Sequence, residues 1–298
     1  STRVRSSAAS DVYKRQVLIM ENLNFKVMMG VIPGYGHENK ELTASNAYEV
    51  GMETWKEAVE EVLNMQSNPE NPESPKFCDV GGKIVPALAV YSKNFGCPVG
   101  GEVGIQVESS IGENQDVELY RKSVIETIKV AMSKLSQSTT TIEWADGDKS
   151  KRTTYISEGG KKINENDSLE GIEHFSVSLG NGTNSNEEYV RIGSAIQDAM
   201  DMVSSTGTGK PDEKYYMISG IMTPAQSETG GIQFSASQNP IYGQTSNELY
   251  RQSVIKTIEQ VIKTLGQKSA TINFGEETIS LDLEEILKQQ NEIGEIGE

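Results

Sequence analysis

Apolar and polar residues first alternate at Phe25, Val27, Met29 and Val31, the period of a half-buried strand. The period then lengthens. Ala47, Val50, Thr54, Trp55, Ala58 and Val62 fall at helical spacing, with Thr43 or Ser45 placed to cap the first turn. Two more strands follow, at residues 84–91 and at the alternating Val103, Ile105 and Val107. Tyr120, Val124, Ile128, Ala131 and Leu135 mark the buried stripe of a second helix, and Thr140, Ile142 and Trp144 a fourth strand. The order β-α-β-β-α-β predicts an α+β, ferredoxin-like sandwich, an antiparallel sheet with both helices on one face.

The pattern then recurs. Residues 118–144, ELYRKSVIETIKVAMSKLSQSTTTIEW, align without a gap with residues 248–274, ELYRQSVIKTIEQVIKTLGQKSATINF, and 13 of the 27 positions are identical. Upstream, Gly104-Ile105-Gln106-Val107 matches Gly231-Ile232-Gln233-Phe234, and Phe25 and Tyr48 correspond more loosely to Phe175 and Tyr189. The chain therefore reads as a tandem duplication, with a first unit at 20–145 and a second at 171–298. The polar segment 146–170 is the expected linker, with a short hairpin around 153–157. Each unit leaves one sheet face without helices. Two units either stack through those faces or pair edge to edge, and both arrangements make a pseudo-dimer in one chain. The pattern at 279–290 suggests an added short helix.

The first 19 residues differ from the rest. Arg3, Arg5, Lys14 and Arg15 stand against Asp11 alone, and no apolar core suits a signal peptide. The string resembles translated sequencing-adapter read-through, so residues 1–19 are expected to be a non-native or disordered leader, with Met20 the expected start. No apolar run approaches the roughly 18–20 residues of a membrane span. A net charge of −16 argues against long nucleic acids, which need a basic face. Two cysteines make no disulfide framework and fit the cytoplasm. Two histidines are too few for a rich metal centre, and no metal or cofactor is expected.

Three places are suited to hold a ligand. The loop Pro33-Gly34-Tyr35-Gly36-His37-Glu38-Asn39 offers a stacking face at Tyr35 and hydrogen-bonding groups at His37 and Asn39, although Pro and Gly also make an ordinary turn. The glycine-dense Phe95-Gly96-Cys97-Pro98-Val99-Gly100-Gly101-Glu102 offers Phe95 as a stacking ring and Gly100 and Gly101 as an anion nest, or else a plain hairpin. Arg121 recurs as Arg251 in the first turn of a helix, where the macrodipole disfavours a cation. Either a bound anion or a pair with Glu118 and Glu248 accounts for it. Asn114 and Asn239, just before those helices, are placed to add hydrogen bonds. No phosphate loop, CxxC pair, HExxH or GxSxG is present, so an enzyme is not the expected reading.

From Met20 onward, the first strand, the GYGHENK loop, the helix through Trp55, the FGCPVGGE loop and the ELYR helix together resemble the phage Thoeris anti-defence proteins of the signal-sequestering sponge type. The resemblance covers most of the first unit. It implies an oligomeric, cytoplasmic α/β protein that traps a small nucleotide signal, such as a cyclic ADP-ribose isomer or a cyclic dinucleotide, without cleaving it. It also implies Phe95, Gly100-Gly101 and Arg121 as pocket residues. Two other readings remain, a structural or protein-interaction module of phage origin and a nucleotide hydrolase.

Overall fold

The computed structural model describes residues 23–31, 44–65, 76–113, 115–146, 151–166, 173–180, 182, 185–225, 231–238, 246–275 and 277–288. In chain order the first part holds β1 (Leu23–Gly30), α1 (Ala44–Leu63), β2 (Lys83–Val90), a 3-10 turn (Lys93–Phe95), β3 (Glu102–Ser110), α2 (Val117–Lys134) and β4 (Thr140–Asp146). A hairpin follows, β5 (Lys151–Ser157) and β6 (Lys162–Asn166). The second part holds β7 (His174–Leu179), α3 (Asn186–Ser204), β8 (Gly220–Pro224), β9 (Ile232–Ser237), α4 (Asn247–Leu265), β10 (Ser269–Phe274) and β11 (Glu277–Asp282). The fold is α+β, and its strands form one antiparallel sheet in the order β11-β10-β7-β9-β8-β2-β3-β1-β4-β5-β6.

Pairing is edge to edge, not face to face: β2 meets β8 antiparallel through Leu88↔Met222, Ala89↔Ile221 and Val90↔Gly220. The segment 146–170 contributes β5 and β6, which extend the sheet beyond β4. The sequence pattern predicts a helix over 279–290; residues 279–282 instead complete strand β11 on β10, and among the described residues 283–288 are helical. Strand pairing there satisfies backbone groups that an isolated short helix leaves open.

Period-two alternation decides which side chains face the helices. In β1, Leu23, Phe25, Val27 and Met29 are buried while Asn24, Lys26 and Met28 point the other way. Phe25 lies 6.1–6.2 Å between ring centroids from Trp55, Tyr120 and Trp144, the centre of one core. Phe175 plays that part in the other, 5.5 Å from Phe234, 6.4 Å from Tyr250 and 6.2 Å from Phe274. Leu88 and Val90 of β2 belong to the second core, which joins the two halves without a polar seam. Because Leu88 and Met222 face each other in register and both are buried in that core, the helices of both halves cover the same side of the sheet.

Helix ends are set locally. Asp116 and Ser246 cap α2 and α4 by accepting the N–H of Leu119 and Leu249, at 2.7 and 3.2 Å. Both helices close with a left-handed residue, Ser136 (φ 53°) after α2 and Gly266 (φ 62°) after α4. In each case the next amide bonds back into the helix, Gln137 to Met132 and Gln267 to Ile262, both at 2.9 Å. Among the described residues no helix is long and apolar enough to cross a membrane.

Candidate functional site

The helix-free side of the sheet carries the second set of alternating positions. Register identifies them: Lys26 faces Glu143, Thr141 faces Tyr155, Ala89 faces Glu102 on one neighbour and Ile221 on the other, and Ile221 faces Ser235. These residues line one cavity of about 680 Å³. Its walls include seven consecutive strands, β5-β4-β1-β3-β2-β8-β9. Laid flat, seven strands span about 29 Å, yet His174 of β7 lines one smaller cavity together with Lys26 of β1, five strand spacings away in the sheet order. The sheet therefore curls into a trough. The curl explains why polar side chains on a face without helices are still buried, as Thr153 and Ser235 are.

Glu102 is the most constrained group in the trough. Its Oε2 accepts a hydrogen bond from the Tyr91 hydroxyl at 3.0 Å. A Cβ on Gly30 would lie 2.0 Å from Glu102 Oε1, so the absence of a side chain at Gly30 is what lets the carboxylate occupy this place. Gln137 approaches from the same side and also lines the cavity. Burial raises the Glu102 carboxyl above the ordinary carboxylate range, and the Tyr91 hydrogen bond only partly opposes this. Lys26 stands in register between Glu108 and Glu143 on its two flanking strands. Aromatic walls come from Tyr91, Tyr155 and Tyr216, and Phe95 stands at the rim, 65% exposed.

Of the residues singled out from sequence, Phe95 alone borders this trough; Tyr35, His37, Asn39, Asn114 and Asn239 lie outside the described residues. Gly100 and Gly101 are buried and structural. Gly100 is packed so closely on α3 that a Cβ on Gly193 would fall 1.9 Å from its carbonyl oxygen. Its N–H donates to the Gln197 side chain at 3.0 Å, so it is not turned outward as an anion nest. Gln197, fully buried, also donates to the carbonyls of Pro98 (2.8 Å) and Tyr91 (3.3 Å). Lys93 pairs with Asp198 at 2.7 Å on the same helix. The β2–β3 loop is thus a clamp between the halves.

The two arginines share one environment. Arg121 lies over the Trp144 ring and Arg251 over the Phe274 ring, each 5.3 Å from the centroid. Arg251 also pairs with Glu173 at 3.2 Å and with Glu277. These contacts account for a cation in the first turn of α4 without a bound anion. Neither arginine borders the trough. Cys97 is buried, and desolvation pushes its thiol up to about 11, which makes it a poor nucleophile near neutral pH.

Nothing in the sequence marks Lys26, Tyr91, Gln137 or Tyr155 as site residues, and Glu102 stands there only as the end of a loop. Their strand positions look like a solvated face. The one signal was glycine inside two strands, Gly30 and Gly104, which register places opposite each other. No family model, no curated protein and no solved structure matches the chain.

Proposed function

We propose that the chain binds and sequesters a small cyclic nucleotide signal without transforming it, on a scaffold made by tandem duplication of a ferredoxin-like unit. The observation that carries the reading is the trough itself. Its volume falls within the roughly 300–1,000 Å³ of small-molecule sites, and it is walled by aromatic, hydroxyl and amide side chains of both halves. Rings supply stacking surface and the polar groups fix orientation. Duplication is supported by positions 130 residues apart that do the same work. Besides the paired arginines, Ser123 and Ser253 each accept a backbone N–H, from Cys78 at 2.9 Å and Tyr216 at 2.7 Å. The halves of the sheet also follow matching strand orders, β4-β1-β3-β2 and β10-β7-β9-β8.

The test is thermal unfolding of the chain against cyclic mononucleotides, cyclic dinucleotides, cyclic trinucleotides and cyclic ADP-ribose isomers. Any stabilising compound is then released by heat and identified by mass spectrometry. Binding to the folded state raises the melting temperature by mass action. A compound recovered intact supports sequestration, products in its place mean a hydrolase, and no shift across the panel removes the reading. Arg121→Ala and Arg251→Ala leave affinity unchanged, because both side chains stand outside the trough. A second reading, a protein-interaction module, draws on Phe95 and Val99, which are 65% and 64% exposed in the β2–β3 loop. It takes over if no ligand is found.

A further inference from the structure

The charges and hydrogen-bonding groups of the trough narrow what it can hold. Its fixed charges are two carboxylates, Glu102 and Glu143, against one ammonium, Lys26. Lys26 lies in register between Glu108 on β3 and Glu143 on β4, and Glu108 is also bridged to Lys83 at 3.4 Å. Arg121 and Arg251, which would otherwise serve phosphates, are committed to Trp144 and Phe274 elsewhere. A pyrophosphate or a pair of phosphodiesters in this trough would meet net negative charge at low dielectric, where like charges repel strongly.

The polar inventory points the same way. The carboxylates can only accept while ionised, and the hydroxyls of Thr141, Thr153, Ser235 and Ser237 both donate and accept. Glu102 is placed with care: Tyr91 holds one oxygen, and Gly30 leaves room for the other. A desolvated acceptor fixed this way is satisfied by a ligand that brings O–H or N–H donors, as a ribose or an exocyclic amine does.

We propose that the trough takes one nucleoside-like ligand per chain, rich in hydroxyl and amino donors and carrying no more than one negative charge, with Glu102 as its anchoring acceptor. The inference rests on the preceding reading of the trough as a ligand site. One ligand per chain follows from the walls: β1 to β5 contribute from one half, but only β8, β9 and the segment just before β8 from the other. The cavity lies across the β2–β8 junction.

Calorimetric titration of the full chain with adenosine, 3′,5′-cyclic AMP, cyclic di-AMP and cyclic ADP-ribose tests it. The expected result is 1:1 binding of adenosine or cyclic AMP, with the two doubly charged compounds about tenfold weaker or more. Glu102→Ala and Glu102→Gln should each lose about tenfold in affinity, the second because its one acceptor oxygen serves Tyr91 and turns an amide donor toward the ligand's donors. Tighter binding of cyclic di-AMP or cyclic ADP-ribose overturns the charge argument and leaves sequestration standing. So does an unchanged affinity in a folded Glu102→Ala chain for the anchoring role. Binding of none of the four, with none by the wider nucleotide panel, overturns both.

Discussion

Replacing Gln197 by Leu tests how the two halves are held together. The side chain is fully buried and serves three backbone groups of the β2–β3 loop: it accepts from Gly100 N–H at 3.0 Å and donates to Pro98 at 2.8 Å and Tyr91 at 3.3 Å. Leucine nearly conserves volume, so the cavity contribution is small. Gly100 N–H then has no acceptor, a loss of about 1–3 kcal/mol. The Pro98 carbonyl keeps the Gly101 N–H at 3.0 Å and suffers less. Adding about 1 kcal/mol for the two weakened carbonyls and subtracting a similar amount for the more apolar side chain leaves a loss of roughly 1–3 kcal/mol. At 2–4 °C per kcal/mol, the melting temperature falls by roughly 2–12 °C.

Urea unfolding with linear extrapolation measures the loss, and an unchanged m-value confirms that only stability moved. Gln252→Leu is the control, since that side chain reaches only Glu248, on the helix surface. It should stay within about 0.5 kcal/mol of the parent. Gln197→Glu sharpens the test. It keeps the shape but sets a carboxylate against two carbonyl oxygens, so its folded-state pKa must rise. A raised acid contributes stability below its unfolded pKa and loses it as pH rises, so this variant should recover toward the parent as pH falls. A Gln197→Leu chain as stable as the Gln252→Leu control would refute the clamp.

Further outcomes follow from single positions. Glu102→Gln should raise the melting temperature at pH 7, because burial lifts the native carboxyl above its ordinary value and the folded chain loses stability as pH rises through that range. The difference should close toward roughly pH 4, where both side chains are neutral, and a pH-independent difference would count against it. Ser136→Gly should stabilise the chain by roughly 1 kcal/mol in urea unfolding, because Ser136 holds φ 53° where Gly266 serves the matching turn. Native-state alkylation followed by peptide mass spectrometry should spare Cys97, since with a thiol near 11 roughly a thousandth is thiolate at pH 8. Unfolding should make it reactive.

The two periods in the sequence carried much of the fold. Phe25, Val27 and Met29 alternate because one side of β1 packs under helices, and the stripe from Tyr120 to Leu135 recurs because α2 is covered by the sheet on one side only. Both signals are local, so they survive without knowledge of the partner strand. Residues 279–282 misled for the same reason. Ile279 and Leu281 alternate as a strand does, but the acidic residues beyond them extend an apparent helix, and only β10 decides between the two.

The trough escaped because it is made from the complementary half of the pattern. Lys26, Glu102, Thr141 and Glu143 occupy positions that, in an isolated ferredoxin-like unit, look outward to water. Nothing within a strand separates a solvated polar face from a polar cavity. The separation comes from long-range geometry: three residue pairs join β2 to β8, the β2–β3 loop is pinned onto α3 by Gln197, and the joined sheet bends its open face inward. The residues chosen from sequence were notable for unusual composition, glycines and a misplaced arginine. Those anomalies were spent on the scaffold, Gly100 on a close approach to Gly193 and Arg251 on Phe274, Glu173 and Glu277. On the duplication proposed above, an anomaly that recurs in both copies points to what both copies need in order to fold. A site lying across their junction is found among residues that do not recur, as Glu102 and Lys26 do not.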